Sequence, residues 1–400
     1  MTDRPLMTGF PPAPEGQVTL ANWRKPPFNV WAFQHVREIV PSADIANDPA
    51  DIWELPRAPS DLDTLHLDLG GTVMPFADFL TRTDTDGMVV LRHGKIIYEH
   101  YARGMTRDTP HIFMSVSKSI LGLVAGILVD KGVLDVAAPV TSIIPEIAGT
   151  AYDGATVRNL LDMRVGIRFD ENYLAASGAI IEYRKAQGWD PYGPGESPSD
   201  LRRFYGTLTE RDGAHNDAFH YVSPNTDLLG WIIERLSNRR YADLVSELLW
   251  KPIGARRSAY ITVDRLGAPR CAGGFCATTE DLARVGQLLV QSARRGAKQV
   301  VPLSWIEDIR TAGDRAAWDK GDFAAYMPGM PVHYRSKWYT LQGAAPMSFG
   351  VGVFGQNVFV DYINEIVIAK FSSQALPMDE GRILLTMQAV GAIRQHLSGG

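Results

Sequence analysis

The chain has 400 residues, 45% of them hydrophobic and 21% charged, with a formal net charge of −5. This is the composition of one large two-part domain or of two domains, and with no run of like charges it points to neither a nucleic acid nor a membrane as partner. Two cysteines, Cys271 and Cys276, make no disulfide framework and no CxxC pair, and the opening "MTDRPLMTGFPPAPEG" has no apolar signal core, so a cytoplasmic location is expected.

Residues 1–30 are rich in Pro and Gly and read as a wrapped or flexible arm. "FNVWAFQHVREIV" then carries apolar residues at helical spacing. Residues 1–84 are therefore expected as an N-terminal arm and helix packed on a catalytic domain spanning 85–400. "DGMVVLRHGKIIYEHYARG" predicts two strands around a tight turn at His93-Gly94. Residues 115–131 follow as a helix ending near Gly132. Its apolar stretch, Ile120–Val129, is too short to span a bilayer.

"TVRNLLDM" is a second, short helix, and residues 164–220 form a loop-rich region of the kind that carries function. "NTDLLGWIIERLSNRRYADLVSELLWKPIG" is helical with breaks at Asn238 and Pro252. "TEDLARVGQLLVQSARRG" and "PLSWIEDIRTAG" are further helices. The period then changes: "SFGVGVFGQNVFVDYINEIVIAKFSS" predicts two or three strands with a turn near Asp361–Glu365, and "RILLTMQAVGAIRQHL" closes the chain as a helix. The expected fold class is α/β (α+β). An antiparallel sheet from about 85–105 and 345–375 is flanked by helices, and a mainly helical insertion covers about 135–290.

Three segments carry candidate chemistry. In "IFMSVSKSI", Ser115 lies three residues before Lys118, so a helix starting at Ser115 puts both on nearly the same face, which Ser117 does not share. A lysine whose pKa is pushed down by burial and by the positive end of a helix can serve as base to a serine. The same helix end offers free backbone N–H groups to an oxyanion. The plainer alternative is an N-cap serine followed by an exposed lysine.

In "FHYVSPNTD", Tyr221 can exchange a proton with a nearby ammonium, with Ser223 and Asn225 on the same loop. Alternatively the tyrosine is an aromatic anchor and Ser or Asn caps the next helix. In "SFGVGVFGQ", alternating glycines on an edge strand mark either close approach of a ligand or backbone, or a bulge. No GxSxG elbow, HExxH, CxxC or P-loop occurs. The nine histidines are scattered, and His93, His100 and His111 form no ligand cluster, so no metal and no cofactor is expected.

SxxK, a Tyr-led loop motif and a glycine-bearing strand, in that order, resemble the serine β-lactamase and penicillin-binding-protein superfamily, and within it the class C group with its esterases and amidases. "LLGWIIERLSNRRYADLVSELLWKPIG" and "AGGFCATTEDLARVGQLLV" look very like family helices and the loop between them. The 6-aminohexanoate-dimer hydrolase branch fits better still, through "KPPFNVWAFQHVREIVPSAD", "MSVSKS", "FDENY", "SPNTD", "FGQNVFVD" and "VIAKFSS". The resemblance implies a β-lactamase-like fold and a serine hydrolase that cleaves a small-molecule amide or ester through an acyl-enzyme, with a homodimer as its assembly.

It also implies Ser115 as nucleophile, Lys118 as base and Tyr221 completing the set. Ser223 corresponds to the second-motif serine and Tyr173 to a mobile tyrosine over the substrate. Backbone N–H groups of Ser115 and of Val353, which follows Gly352, form the oxyanion site. Two departures stand out: Gly350-Val351-Gly352 replaces Lys-Thr-Gly, and "MRVG" replaces His-Thr-Ser-Gly. A third is Arg184, with Glu182 beside it, where the branch places an acid that holds a substrate amine. The alternatives are a carboxylesterase without amide activity and a non-catalytic binding protein.

Overall fold

A computed structural model describes residues 6–291 and 293–399. Its centre is a seven-stranded antiparallel sheet. The strand order is Val332–Arg335, Trp338–Leu341, Met347–Gly352, Gln356–Asp361, Ile366–Ser372, Thr85–Arg92 and Lys95–Tyr101. Both ends of the chain thus build one sheet, and the long middle section leaves and returns. A second sheet of four strands joins Ser42–Ile45, Ala259–Thr262, Phe275–Ala277 and His111–Ile112.

The central strands read as continuous apolar runs because both of their faces are covered. Along Thr85–Arg92, Val89 and Leu91 join one core and Met88 and Val90 the other. Ile366–Ser372 does the same, with Val367, Ala369 and Phe371 on the first face and Ile366 and Ile368 on the second. The first face packs against helices Val116–Asp130 and Thr279–Val290, and the second against Phe76–Arg82 and the closing helix Glu380–Ser398. Each such fully buried Val, Leu or Ile contributes roughly 1.5–3 kcal/mol.

The expected helix over "FNVWAFQHVREIV" is interrupted. One turn spans Asn29–Ala32 and a 3₁₀ turn spans Val36–Glu38, with His35 at φ −130° between them. The cause is a competing bond: the Phe33 carbonyl, which a continuous helix would give to Arg37, accepts from the N–H of Ile112 at 2.9 Å. The spacing still places Ala32, Phe33, Val36 and Val40 inward. There they pack with Trp23, Met114, Trp189 and Phe354 in a third core. The arm therefore lies against the residues just before Ser115 and just after Val353.

Two strands beyond those expected, Val332–Arg335 and Trp338–Leu341, extend the sheet. They make Met347–Gly352 an interior strand rather than an edge. Its ladder to Trp338–Leu341 runs only from Met347 to Phe349, however, so Gly350–Gly352 pair on one side alone. Among the described residues no helix is long and apolar enough to cross a membrane.

Candidate active site

Ser115 is the N-cap of helix Val116–Asp130, which is buried from Val116 to Leu128. Its hydroxyl makes no capping bond. It accepts instead from Lys118 Nζ, one turn on, at 2.8 Å. Lys118 is 1% exposed and completes its coordination on Ser223 Oγ at 3.1 Å and the Ala272 carbonyl at 2.8 Å. Burial pulls its pKa from 10.5 down to about 7; Glu171 acts against the shift and Arg270 with it. A lysine near neutrality is an available base. Ser117, by contrast, is buried and accepts from the N–H of Phe275 at 3.1 Å, so its hydroxyl is spent on structure.

Ser223 repeats the pattern of Ser115. It is the N-cap of helix Pro224–Ser237, and its side chain caps nothing. Its hydroxyl donates to Glu171 Oε1 and its N–H to Glu171 Oε2 at 2.9 Å. Tyr173 donates its phenol to the same Glu171 Oε1 at 3.0 Å. Glu171 is thus the carboxylate that ties Tyr173, Ser223 and, through Ser223, Lys118 into one network.

Tyr221 stands on the other flank, with its ring centroid 4.9 Å from Lys118 Nζ. Its N–H donates to Asp322 at 2.8 Å, and Phe323 packs on its ring with centroids 5.0 Å apart. Burial pushes its pKa up, and Glu171 adds to this, while the Ser115 hydroxyl draws it back. The phenol therefore holds its proton, as a donor to a leaving group must.

Opposite the serine, Gly352 lies against the helix start. A methyl group at Gly352 would meet the Phe113 carbonyl at 2.7 Å and the Ser115 nitrogen at 3.0 Å. One at Gly350 would meet Ser119 Oγ at 2.8 Å. Close approach of a backbone, not a bulge, is what these glycines allow. Val353, at the first position of a 3₁₀ turn, follows Gly352 directly and lines the same cavities as Ser115, and the N–H groups of both stand at positions without an intrahelical acceptor. The outer neighbours of the pair are strained: Met114 has φ 46° and Phe354 φ 63°. Left-handed conformations at non-glycine residues cost on the order of 1–3 kcal/mol each and persist where the surroundings impose them.

Ser115, Tyr173 and Val353 line two adjoining cavities, of about 750 Å³ and 440 Å³. Ser223 belongs to the first, and Tyr221 and Gly352 to the second. Ser115, Lys118, Tyr173, Tyr221, Ser223, Gly352 and Val353 thus share one site, whereas Asn225 lines neither cavity and accepts instead from the Tyr152 hydroxyl at 3.0 Å. Glu171 was missed, because nothing in "FDENY" separates it from Asp170 or Asn172. So was the buried pair behind Ala272: Asp227 takes Arg270 Nη1 at 2.6 Å and the Ala272 N–H at 2.7 Å, which fixes the carbonyl that Lys118 uses. No group of three or more His, Cys, Asp or Glu able to hold a metal occurs among the described residues.

A two-faced antiparallel sheet, with a serine and a lysine one turn apart where the buried helix begins, is the framework of the β-lactamase-type serine hydrolases. The chain belongs to that family: residues 76–391 match the family described as Beta-lactamase. Within it, the chain is similar to the 6-aminohexanoate-dimer hydrolase of Paenarthrobacter ureafaciens, at 36% identity over 367 residues, 91% of this chain and 90% of that one. A solved Bacillus anthracis structure, provisionally named a 6-aminohexanoate-dimer hydrolase, superposes with a TM-score of 0.87 at 26% identity, covering 96% of this chain and 98% of that one. Esterase EstB of Burkholderia gladioli is 27% identical over 188 residues, 44% of this chain and 47% of that one. The protein is accordingly a hydrolase, a member of the 6-aminohexanoate-dimer hydrolase-like branch of this family.

Proposed function

We propose that Ser115 attacks the carbonyl of a small amide or ester and forms an acyl-enzyme that water then hydrolyses. The observation that carries this is the 2.8 Å contact between Ser115 Oγ and a buried lysine whose pKa is drawn to about 7. Lys118 takes the serine proton as the Oγ–C bond forms. The N–H groups of Ser115 and Val353 hold the carbonyl oxygen as it becomes negative. Tyr221 gives its proton to the departing nitrogen or oxygen and takes in its place the proton that Lys118 received from Ser115. Water then attacks the acyl carbonyl as Lys118 takes its proton, the serine–acyl bond breaks, Lys118 returns that proton to Ser115 Oγ and the acid leaves.

A protonated phenol beside the serine suits an amine leaving group, which must be protonated to depart. This favours amide as well as ester cleavage, in the manner of the 6-aminohexanoate-dimer hydrolase relative. Two buried free thiols, Cys271 and Cys276, suit a reducing, cytoplasmic compartment. The test is labelling with a fluorophosphonate and peptide mapping by mass spectrometry, followed by rates on a short neutral p-nitrophenyl ester and the p-nitroanilide of the same acid. An adduct on Ser115 with turnover of both is expected. An adduct elsewhere, or none, overturns the assignment, and ester turnover alone reduces the protein to a carboxylesterase.

A further inference from the structure

The two cavities that share Ser115 differ in chemistry. The second is lined largely by apolar side chains, among them Phe323, Met327, Tyr339 and Met387; its two charged residues are Arg382, which is paired with Asp84, and the exposed Glu380. The first carries the charged residues Arg24, Lys25, Glu171, Arg184, Asp190 and Arg270. Its charges are unevenly matched. Asp190 is engaged by Arg24. Glu171 is filled by the hydroxyl and N–H of Ser223 and the phenol of Tyr173. Arg270 has its own carboxylate in Asp227, at 2.6 Å. Arg184 is left: its Nη2 donates to the Tyr173 carbonyl at 2.7 Å, and no carboxylate of the described residues pairs with it. Lys25, exposed at the rim, has no ion pair among the described residues either.

The position of Tyr221 tells the two cavities apart. The acid that protonates the leaving atom must sit on the leaving-group side of the scissile bond, and Tyr221 lines the second cavity and not the first. The leaving group then occupies the apolar cavity, and the acyl chain runs into the cavity that holds the unmatched guanidinium.

Resting on the Ser115 reading above, we propose that the enzyme selects esters and amides whose acyl chain ends in a carboxylate, bound in the first cavity by Arg184 with Lys25 at the rim. The bond is a charge-assisted one to a planar donor that offers a carboxylate two parallel N–H groups. Partial burial strengthens it, since fewer waters compete for the guanidinium, and burial already pulls the Arg184 pKa down. An acyl chain ending in an ammonium meets repulsion at the same place.

The experiment compares kcat/KM for p-nitrophenyl hexanoate, p-nitrophenyl 6-aminohexanoate and the mono-p-nitrophenyl esters of succinic, adipic and suberic acids. At the chain length that reaches Arg184, the anionic ester is expected to exceed the neutral ester by about tenfold or more, the scale of one hydrogen bond to a charged group. The aminohexanoyl ester should fall below both. High salt should compress the ranking. Arg184→Glu should invert it, and Arg184→Lys should keep its order.

Each readout is a ratio between substrates within one variant, so a general loss through the Tyr173 backbone cancels. An ester with the anion on its leaving group, 4-carboxyphenyl hexanoate, should show no such dependence on residue 184. Equal rates for anionic and neutral esters at every length, or a ranking that Arg184→Glu leaves in place, overturns the proposal. So does an Arg184-dependent preference for the 4-carboxyphenyl ester. Failure of every ester to be hydrolysed instead overturns the serine-hydrolase reading beneath it.

Discussion

Lys118 Nζ meets Ser115 Oγ at 2.8 Å while two other acceptors, Ser223 Oγ at 3.1 Å and the Ala272 carbonyl at 2.8 Å, complete its surroundings. An ammonium has three protons for these three oxygens. A neutral amine has two, and they remain on Ser223 and Ala272, so its lone pair is left facing the Ser115 hydroxyl. Ser223 can accept from the lysine because its own proton goes to Glu171. The geometry therefore serves both protonation states of the lysine without moving a heavy atom.

The first expectation separates the two serines. Ser115→Ala should lower kcat on a p-nitrophenyl ester by at least about a thousandfold, the scale seen when a nucleophile acting in concert with its base is removed. Ser117→Ala removes only the bond from the Phe275 N–H. It should cost stability on the order of 1 kcal/mol and keep most of the activity. Equal losses of activity in both variants would reassign the nucleophile. Rate assays and thermal melts of the two purified variants decide it.

The pH dependence follows from the sign of the lysine shift. Only the neutral amine is a base, so kcat/KM should rise about tenfold per pH unit below an acid limb near pH 7 and level off above it. Stability carries the same sign. The unfolded chain keeps this proton up to about pH 10.5, whereas the folded chain releases it near 7. The unfolded state therefore binds more protons between those values, and Lys118 contributes stability that increases as pH rises from 7 towards 10.5. Lys118→Met should be inactive at every pH and should show a smaller rise in Tm across that window than the parent. An acid limb well below 6 would place the base elsewhere.

Glu171 offers a way to move that limb. Its charge holds the lysine pKa up against burial. Glu171→Gln retains the size of the side chain and removes the charge, so the acid limb should shift to lower pH. The maximal rate should fall as well, because the carboxylate also orders Ser223 and Tyr173. A limb that stays put or moves upward contradicts the electrostatic role. The pH profile of kcat/KM on a neutral ester is the measurement.

How much of this was legible beforehand depends on whether a local signal matched the local cause. The turn at His93-Gly94 and the turn at Ser336-Lys337 have the same backbone, with φ values of 49° and 73° in one and 48° and 70° in the other. The first contains the glycine that such hairpins favour and could be read. The second is held by distant groups: the Ser336 N–H donates to Asp162 at 2.9 Å and Lys337 Nζ to the Leu160 carbonyl at 2.6 Å. Its strands of four residues each went unread, and with them the interior position of Met347–Gly352. The Ser–Lys spacing was visible because both residues lie on one helix turn. Glu171 was not, because its importance comes from Ser223, 52 residues away in the chain. The interruption after Phe33 has the same origin, a bond from Ile112 that no pattern within "FNVWAFQHVREIV" reveals.

Gly352 supplies the last expectation, and it separates geometry from chemistry because the residue carries no reacting atom. A methyl group there would stand 2.7 Å from the Phe113 carbonyl and 3.0 Å from the Ser115 nitrogen, both backbone atoms that cannot swing aside. Relief requires the Met347–Gly352 strand to move off the helix start, which separates the two N–H groups proposed above to hold the carbonyl oxygen. Losing one such donor costs about 10²–10³ in kcat. Gly352→Ala should therefore lose activity on that scale while its stability falls by roughly 1–3 kcal/mol, the usual cost of overpacking. Fluorophosphonate labelling of Ser115 should slow in parallel if, as proposed, the phosphoryl oxygen uses the same two donors. A variant that labels and turns over at the parent rate would show that the oxygen is held by other groups.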